Sequence, residues 1–239
     1  MAVTILESTQ STNLDAHDRR YVHGDAIIAL EQTAGRGQRG NRWVCRAGEN
    51  LTFSMVLEPT FLHAAKQFLL SESVALGVAD ALAGFGIEAR IKWPNDIYVG
   101  DMKICGILIE NDLRGAELSR SIVGVGLNVN QDDFDPSLPN PTSMCLETEQ
   151  HYDIMAVFGA VYDAVMARYN LLVAGEYSVL SDDYLGLLYG LDELRTFARP
   201  DGSRFAGIIR DVRPSGELVI EHDDSHLETF LFKEVQYVL

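Results

Sequence analysis

The chain has 239 residues, of which 47% are hydrophobic and 23% charged, and its 19 basic and 35 acidic residues give a formal net charge of −16. This composition is ordinary for a globular protein and excludes the disordered, collagen-like and coiled-coil classes. The negative charge argues against a protein whose main partner is a nucleic acid, because phosphate backbones are bound by clustered lysine and arginine.

The cysteines and the hydropathy pattern indicate a cytoplasmic protein. Cys45, Cys105 and Cys145 are an odd number and form no CxxC pair, which fits a reducing compartment better than a disulfide framework. The N-terminus has no basic stretch followed by an apolar run, as a secretory signal would have. No apolar stretch reaches the roughly 18 residues of a membrane span, so we expect no membrane-spanning segment.

The first 190 residues predict a mixture of helices and mostly antiparallel strands. A short helix is predicted over 14–20, and apolar residues at helical spacing predict helices over 63–85, 154–173 and, more briefly, 181–189. Short apolar runs between polar turns predict strands at 26–30, 51–57, 87–92, 97–99, 104–110 and 121–129. The Asp- and Pro-rich segment 131–142 predicts a surface loop.

The last fifty residues have a different pattern. Short strands are predicted at 195–198, 204–210, 218–220 and 229–232, with turns between them, which is typical of a small β-barrel. We therefore predict an α+β fold with two domains, 1–190 and 191–239.

A glycine- and arginine-rich segment follows the strand predicted at 26–30. The run Gly35-Arg36-Gly37-Gln38-Arg39-Gly40 matches the GxGxxG fingerprint of dinucleotide-binding proteins, which requires a helix to begin there. The residues after Gly40 lack helical periodicity, so we predict a long loop instead. Guanidinium groups bind carboxylates and phosphates in a forked geometry, so this loop is suited to closing over an anionic ligand. A solvated basic loop is the alternative interpretation.

A second candidate site begins where the strand predicted at 87–92 ends. The chain reads Lys92-Trp93-Pro94-Asn95-Asp96, which places a cation beside the hard oxygen ligands that Mg²⁺ prefers. Lys103 follows across a hairpin with its turn at Gly100-Asp101, so Lys92 and Lys103 are expected to face one pocket. An Asx turn that merely starts a hairpin is the alternative.

Two further segments are candidate ligand contacts. Glycines inside a strand favour the close approach of a ligand or another backbone, and Gly124 and Gly126 precede Asn128 in such a strand. Asn128 could bind a nucleotide or a metal, or simply end the strand. The run Ser11-Thr12-Asn13 is predicted first as a helix N-cap, a role that is compatible with ligand contact.

Taken together, these segments resemble the biotin–protein ligase family, also called the biotin–[acetyl-CoA-carboxylase] ligases. The motifs that carry the resemblance are Ser11-Thr12-Asn13, the stretch from Gln32 through the GRGxxG loop to Trp43, KWPND at 92–96, KICGILIE at 103–110, and 124–128. The resemblance covers nearly the whole chain. It implies a catalytic domain similar to that of class II aminoacyl-tRNA synthetases and a C-terminal SH3-like β-barrel.

The resemblance also implies an activity and its partners. Biotin would be activated with ATP to biotinyl-5'-AMP and then transferred to one lysine of a biotin carboxyl carrier protein. ATP, biotin and Mg²⁺ are the expected substrates and metal, and a homodimer is compatible with the family. Because the chain begins directly at the catalytic motif and is strongly acidic, we expect no DNA binding.

Site roles follow from the same resemblance. The expected catalytic residues, near the biotin carboxylate and the phosphates, are Lys103, Arg36 and Arg39. The expected biotin contacts are Ser11, Thr12, Asn13, Gln32, Gly35, Arg36, Gly37, Gln38, Trp43, Lys103 and Gly106, with Trp43 helping to close the loop. The expected ATP and phosphate contacts are Lys92, Asn95, Asp96 and Asn128, of which Asp96 and Asn128 are the candidate Mg²⁺ ligands.

One residue departs from the family pattern, and three other functions remain alternatives. Gln38 stands where many members carry arginine, so the chain could retain the adenylate less well. The alternatives are a lipoate or octanoate ligase, a biotin sensor without ligase activity, and a nicotinamide-dependent dehydrogenase. The GRGxxG loop with Trp43 favours biotin, and Lys103 and Asp96 favour an enzyme.

Overall fold

The computed structural model describes residues 1–238, and of Arg39 only the backbone. Within that range the strands form two sheets, one of seven strands and one of five. The strands of the larger sheet are β1 (Val3–Thr9), β2 (Ala26–Gln32), β3 (Leu51–Leu57), β4 (Arg90–Lys92), β5 (Asp96–Val99), β6 (Met102–Arg114) and β7 (Glu117–Leu127). Their spatial order is β1-β2-β3-β7-β6-β5-β4, with β1 and β2 parallel and the other neighbours antiparallel.

The parallel pair at one edge of this sheet positions the first polar motif. Parallel strands need a crossover connection, and here it begins with the short helix α1 (Thr12–Asp15). Thr9 lies opposite Gln32, so the carboxyl ends of β1 and β2 meet at the same edge. Residues 11–13, directly after β1, therefore come beside Gln32 and the loop that follows it.

Three longer helices contribute to the core. They are α2 (Phe68–Gly84), α4 (Ile154–Val173) and α5 (Tyr177–Gly186), and a short helix, α3 (Met144–Thr148), precedes α4. Val157, Val161 and Val165 form a buried stripe on α4, as i, i+4 spacing predicts. Helices α2 and α4 are so close that a Cβ on Gly77 would lie 2.4 Å from Cα of Val165.

Helix α4 is also long and apolar enough, by length and composition, to cross a membrane. In this structure 39% of its apolar 18-residue stretch is buried inside the protein, along the valine stripe that packs into the core. Arg168 lies on the same side as this stripe and pairs with Asp80 of α2 and Asp183 of α5. This arrangement is that of a core helix.

The second sheet is antiparallel and packs against the corner at Trp93. Its strands are β8 (Leu194–Ala198), β9 (Arg204–Val212), β10 (Leu218–His222), β11 (Leu227–Phe230) and β12 (Gln236–Tyr237), in the order β11-β10-β9-β8-β12. Trp93 Nε1 donates to the carbonyl of Gly216 at 2.9 Å, and its ring meets Phe232 edge-on. These contacts bring the end of the chain to the site.

Most predicted elements are present, and the differences have physical causes. The bounds of β3 and α4 are as predicted, whereas α5 begins and ends earlier than 181–189 and β4 is shorter than 87–92. The helix expected over 14–20 lasts one turn, because Nη2 of Arg120 bonds the carbonyls of Ala16 and Asp18. No local pattern predicted β1, an edge strand with mainly exposed side chains, nor α3 and β12.

Candidate active site

A cavity of about 490 Å³ lies where the loop after β2, the middle of β6 and β7, and the end of the second sheet meet. Most of the predicted site residues line it, although they come from separate segments of the chain. They are Ser11, Thr12, Asn13, Gln32, Arg36, Gly37, Gln38, Trp43, Lys92, Asn95, Asp96, Lys103 and Gly106.

One wall of the cavity is a buried hydrogen-bonded network. The amide of Thr12 donates to Oε1 of Gln32 at 2.8 Å, and the hydroxyl of Ser54 donates to Oδ1 of Asn13 at 2.6 Å. Ser11 occupies the predicted N-cap position of α1, but its side chain makes no capping hydrogen bond. The wall therefore presents fixed polar groups that could recognise an uncharged polar ring.

The glycines of the central strands form the floor. A Cβ on Gly126 would lie 2.4 Å from Cε2 of Trp43, and one on Gly124 would lie 2.1 Å from Oδ1 of Asn13. A third glycine, Gly106, faces the same indole. The close approach predicted at these glycines is therefore made by other parts of the chain. The side chains of Trp43, in the loop, and Asn13, in α1, lie where a Cβ would stand.

The glycine-arginine segment is a loop, as predicted. A single 3-10 turn covers Gln38–Gly40, and Gly37 N donates to the carbonyl of Asn41 at 2.7 Å. Trp43 N donates to the carbonyl of Gly35 at 3.0 Å, which closes the loop on itself. Because no longer helix starts here, the segment lacks the aligned amides of a dinucleotide-binding fingerprint.

Two lysines face the cavity together, as the hairpin predicted. Nζ of Lys103 lies 2.7 Å from Oδ1 of Asp96, across the β5–β6 hairpin, and 5.8 Å from the centroid of the Trp43 ring. Nζ of Lys92 donates to the phenol oxygen of Tyr98 at 3.0 Å and lies 4.9 Å from the centroid of the Tyr237 ring. The corner is cationic and suits the binding of phosphate.

Asn95 has a structural task at this corner. Its side-chain amide donates to the carbonyl of Ile107, and Ile107 N donates to the carbonyl of Asn95 at 3.0 Å. The asparagine thus ties the turn after β4 to the middle of β6. This contact fixes the neighbouring Asp96 relative to Lys103.

Three predicted site residues are placed differently from the others. Asn128 is buried and donates through Nδ2 to the carbonyl of Thr142 at 2.8 Å, so this geometry gives no support to its predicted role as an ATP or Mg²⁺ ligand. Gly35 is not among the residues that line the cavity and contacts the backbone of Trp43 instead. The predicted role of the Arg39 side chain lies outside the described part of the chain.

Metal-ligating and thiol groups take ordinary structural positions. Among residues 1–238, with the Arg39 side chain excepted, no three His, Cys, Asp or Glu side chains lie close enough to hold a metal ion by themselves. All three cysteines are free, and burial raises the pKa of the Cys105 thiol far above its usual range. Cys105 is thus the inert core thiol that its apolar strand predicted.

Sequence reasoning missed the contribution of the C-terminal segment. Several of its residues line the cavity, namely Phe232, Lys233, Val235, Gln236 and Tyr237. Burial raises the pKa of Tyr237, so its phenol stays protonated at neutral pH. The only signal was the strand predicted at 229–232, and that prediction says nothing of the surface that the segment meets.

The chain is similar to one protein family and to several relatives of known sequence. Residues 3–128 match the biotin/lipoate A/B protein ligase family. The biotin–[acetyl-CoA-carboxylase] ligase of Paracoccus denitrificans is 31% identical over 90% of this chain and 92% of its own. The bifunctional ligase/repressor BirA of Bacillus spizizenii is 32% identical over 70% of this chain, and the aligned part is 52% of that relative, about half its length.

The fold is similar to that of solved structures. The biotin protein ligase of Aquifex aeolicus in complex with biotin and ATP superposes with a TM-score of 0.84, over 99% of this chain and 98% of that one. The sequences are 23% identical, so this likeness concerns the fold. Both chains share the same mixed α/β arrangement of sheets and helices.

Proposed function

Because the chain belongs to the biotin/lipoate A/B protein ligase family, we propose that it activates biotin as biotinyl-5'-AMP and transfers it to a lysine of a biotin carboxyl carrier domain. The relatives named biotin–[acetyl-CoA-carboxylase] ligase support this substrate and acceptor class. The observation that carries the proposal is the cavity itself. It joins a neutral, hydrogen-bonded wall at Thr12 and Gln32 to a cationic corner at Lys92 and Lys103.

The neutral wall suits the ureido end of biotin. A ureido ring has two N–H donors and one carbonyl acceptor, and the wall offers amide and hydroxyl groups of both kinds. Thr12, Asn13 and Gln32 are held by one another or by Ser54, so they are preorganised before a ligand arrives. Preorganised polar groups bind without the further entropy cost of ordering side chains.

The cationic corner suits the adenylation step. An oxygen of the biotin carboxylate forms a bond to the α-phosphorus of ATP, and the bond from that phosphorus to the bridging oxygen breaks, releasing pyrophosphate. Negative charge develops on the α-phosphoryl oxygens and on the leaving group. Lys103, Lys92 and Arg36 would neutralise it without reorganisation, and no covalent enzyme intermediate is required.

In the transfer step the acyl group stays where adenylation left it. The ε-amine of the acceptor lysine attacks the acyl carbon of biotinyl-AMP, the carbon–oxygen bond to AMP breaks, and the amine loses a proton. The loop that carries Arg36 and Trp43 would cover the mixed anhydride and keep water away from it. Transfer then competes well with hydrolysis.

A magnesium ion fits this site only together with ATP. Asp96 is the one carboxylate among the described residues that line the cavity, and it is paired with Lys103. Mg²⁺ usually takes one or two protein carboxylates and completes its shell with water and substrate phosphates. Asp96 would hold such an ion, which would supply charge neutralisation at the phosphates.

The finer description of the fold is part of this proposal. We assign residues 1–190 to a catalytic domain similar to that of class II aminoacyl-tRNA synthetases and 191–239 to an SH3-like barrel. The two separate sheets and the antiparallel strands of the second sheet support this division. The described C-terminal residues that line the cavity support a role for this small domain in completing the site.

The partners and location are proposed on charge and family. The expected macromolecular partner is the carrier domain of a biotin-dependent carboxylase, and the net charge of −16 argues against DNA as a second one. The free cysteines support a cytoplasmic location. A homodimer is compatible with the family.

One assay tests the function. Purified protein is incubated with ATP, Mg²⁺, biotin and a carrier domain, and both pyrophosphate and biotin on the acceptor are measured. With biotin we expect both pyrophosphate and labelled acceptor, and with lipoate neither product. A carrier domain with arginine at the target lysine is the matched control. Labelling with lipoate but not with biotin would overturn the substrate assignment.

A further inference from the structure

Glu110, near the middle of β6, holds two residues of the cavity wall at once. Its Oε2 accepts a hydrogen bond from Nδ2 of Asn13 at 2.8 Å. Its Oε1 lies 3.1 Å from Nη1 of Arg36 in an ion pair. Each carboxylate oxygen thus has a different closest partner, one on α1 and one on the loop at 35–40, here called the arginine loop. Nε2 of His17 lies farther from Oε2, at 3.9 Å.

Glu110 itself stands behind the wall. Asn13 and Arg36 line the cavity of about 490 Å³, but Glu110 is not among its lining residues. Its side chain is 25% exposed, whereas that of Arg36 is 43% exposed. A group in this position acts on a ligand only through the residues that it orients.

These contacts complete a continuous polar chain around the base of the loop. Gln32, at the end of β2, bonds Thr12, whose hydroxyl lies 2.7 Å from Oγ of Ser54. Ser54 bonds Asn13, and Asn13 bonds Glu110, which pairs with Arg36, four residues after Gln32. Gln32, just before the arginine loop, and Arg36, within it, are therefore both joined to one network.

We propose that Glu110 is a positioning residue that fixes the guanidinium of Arg36 for the carboxylate of the ligand and, as adenylation proceeds, for the α-phosphate. This inference rests on the function proposed above. Nη1 of Arg36 lies 3.1 Å from Oε1 of Glu110, and a guanidinium has five N–H donors, so other donors remain for an anion. An arginine tied in this way gives up less side-chain entropy when it binds.

The substitution Glu110→Gln separates the two contacts. Oδ1 of Asn13 is held by Ser54, so Nδ2 must stay towards position 110, where the glutamine carbonyl can still accept. The glutamine amide then faces Arg36, and both groups are donors. The variant therefore keeps the tie to Asn13 and breaks the tie to Arg36.

The test is a double-mutant cycle in biotin-dependent ATP–pyrophosphate exchange, which needs no acceptor. Glu110→Gln, Arg36→Met and the double variant are compared for the KM for biotin and for kcat. We expect E110Q to raise the KM for biotin roughly tenfold, the loss expected for one charge-assisted contact. In the Arg36→Met background, E110Q is expected to have no further effect.

Asp112→Asn is the matched control. Asp112 lies on the same strand and pairs with an arginine, Arg19, at 3.0 Å, but neither residue lines the cavity. Its removal is expected to leave both kinetic parameters unchanged. Damage to β6, or the loss of a negative charge in general, would change the kinetic parameters of both variants. Loss of the contact with Arg36 would change those of E110Q alone.

Three outcomes overturn the inference. The first is an unchanged KM for biotin in E110Q, and the second is that the effects of E110Q and Arg36→Met add independently. The third is a lower KM for biotin in E110Q, because the carboxylate would then compete with the ligand for Arg36. The wild-type protein decides the proposed function separately. If it shows no biotin-dependent exchange, the ligase proposal fails before the Glu110 comparison is made.

Discussion

The indole of Trp43 rests directly on Gly126, with Cε2 2.4 Å from the point where a Cβ would stand. Nε1 of Trp43 is buried without an oxygen or nitrogen acceptor among the described residues. Its polar neighbour is the thiol of Cys45, a weak acceptor. Burial raises the pKa of this thiol, and the hydrogen bond from the indole offsets only part of that rise. The ring is therefore held on the cavity floor mainly by packing.

The first prediction concerns the glycine floor. Gly126→Ala places a methyl group where the indole lies, so either the ring or a ligand on the floor must move. We expect biotin affinity, measured by calorimetry, to fall at least about tenfold. Gly84→Ala is the control, because a Cβ there has no neighbour within 4 Å. Unchanged affinity in G126A would show that the floor does not contact the ligand.

The second prediction concerns the lysine of the hairpin. Lys103→Ala removes a cation from the cavity and leaves Asp96 without its ion-pair partner. We expect kcat of ATP–pyrophosphate exchange to fall about 10²–10³-fold, the cost of losing one preorganised group that stabilises the transition state. Lys66→Ala, at a lysine that packs over Tyr177 and does not line the cavity, should retain activity. A K103A enzyme with normal kcat would remove Lys103 from the chemistry.

The third prediction concerns Gln38, which lines the cavity within the arginine loop. An added cation there would strengthen retention of the anionic adenylate. In Gln38→Arg we expect the ratio of pyrophosphate released to biotin transferred to fall towards one, measured with limiting carrier domain. Gln10→Arg, an exposed substitution outside the cavity lining, adds the same charge and should leave the ratio unchanged. An equal fall in both variants would indicate a general charge effect.

The fourth prediction concerns the pH dependence of stability. Glu72 of α2 is buried, and this burial raises its pKa from an ordinary 4.5 to about 7. The hydrogen bond from Ser181 to Oε2, at 2.9 Å, lowers the pKa in part, and the charge of Asp211 raises it. Since the folded pKa exceeds the unfolded one, the folded state holds more protons between the two values. The contribution of Glu72 to the free energy of unfolding is therefore fully present below about pH 4.5 and is lost as the pH rises through 7.

The substitution Glu72→Gln removes this dependence. The glutamine side chain is uncharged, and its carbonyl can still accept from Ser181. Between pH 5 and 8 the free energy of unfolding of the wild type should fall by on the order of 2–3 kcal/mol relative to that of E72Q, as urea denaturation would measure. Parallel pH profiles of the two proteins would mean that Glu72 ionises freely in the folded state.

Short-range patterns predicted the parts of the site that are contiguous in the chain. The hairpin that faces Lys103 towards Asp96 follows from a turn at Gly100-Asp101 and two flanking apolar runs, all within about a dozen residues. The loop at 35–40 was separable from a dinucleotide fingerprint because helical periodicity is absent after Gly40. Such features depend on backbone propensity and local spacing, which a sequence states directly.

Asn128 and Tyr237 show where prediction from sequence stopped. Both are polar residues in apolar surroundings, and nothing local indicates that Asn128 would turn to the carbonyl of Thr142 whereas Tyr237 would line the cavity. Asn128 meets a carbonyl fourteen positions further along the chain, whereas the position of Tyr237 depends on how the second sheet packs against Trp93, a contact across more than one hundred residues. Residue type alone cannot encode such a distance.

By itself the sequence determined the order of the motifs, the residue types available for binding an anion and a neutral ring, and most helices and strands. Only the tertiary structure decided which of those residues share one cavity, that Trp43 lies on Gly126, and that Glu110 holds Asn13 and Arg36 together. The physical reason is that propensity and periodicity act over a few residues. Packing and hydrogen bonding join side chains far apart in the chain, such as Asn13 and Glu110, which are separated by 97 positions.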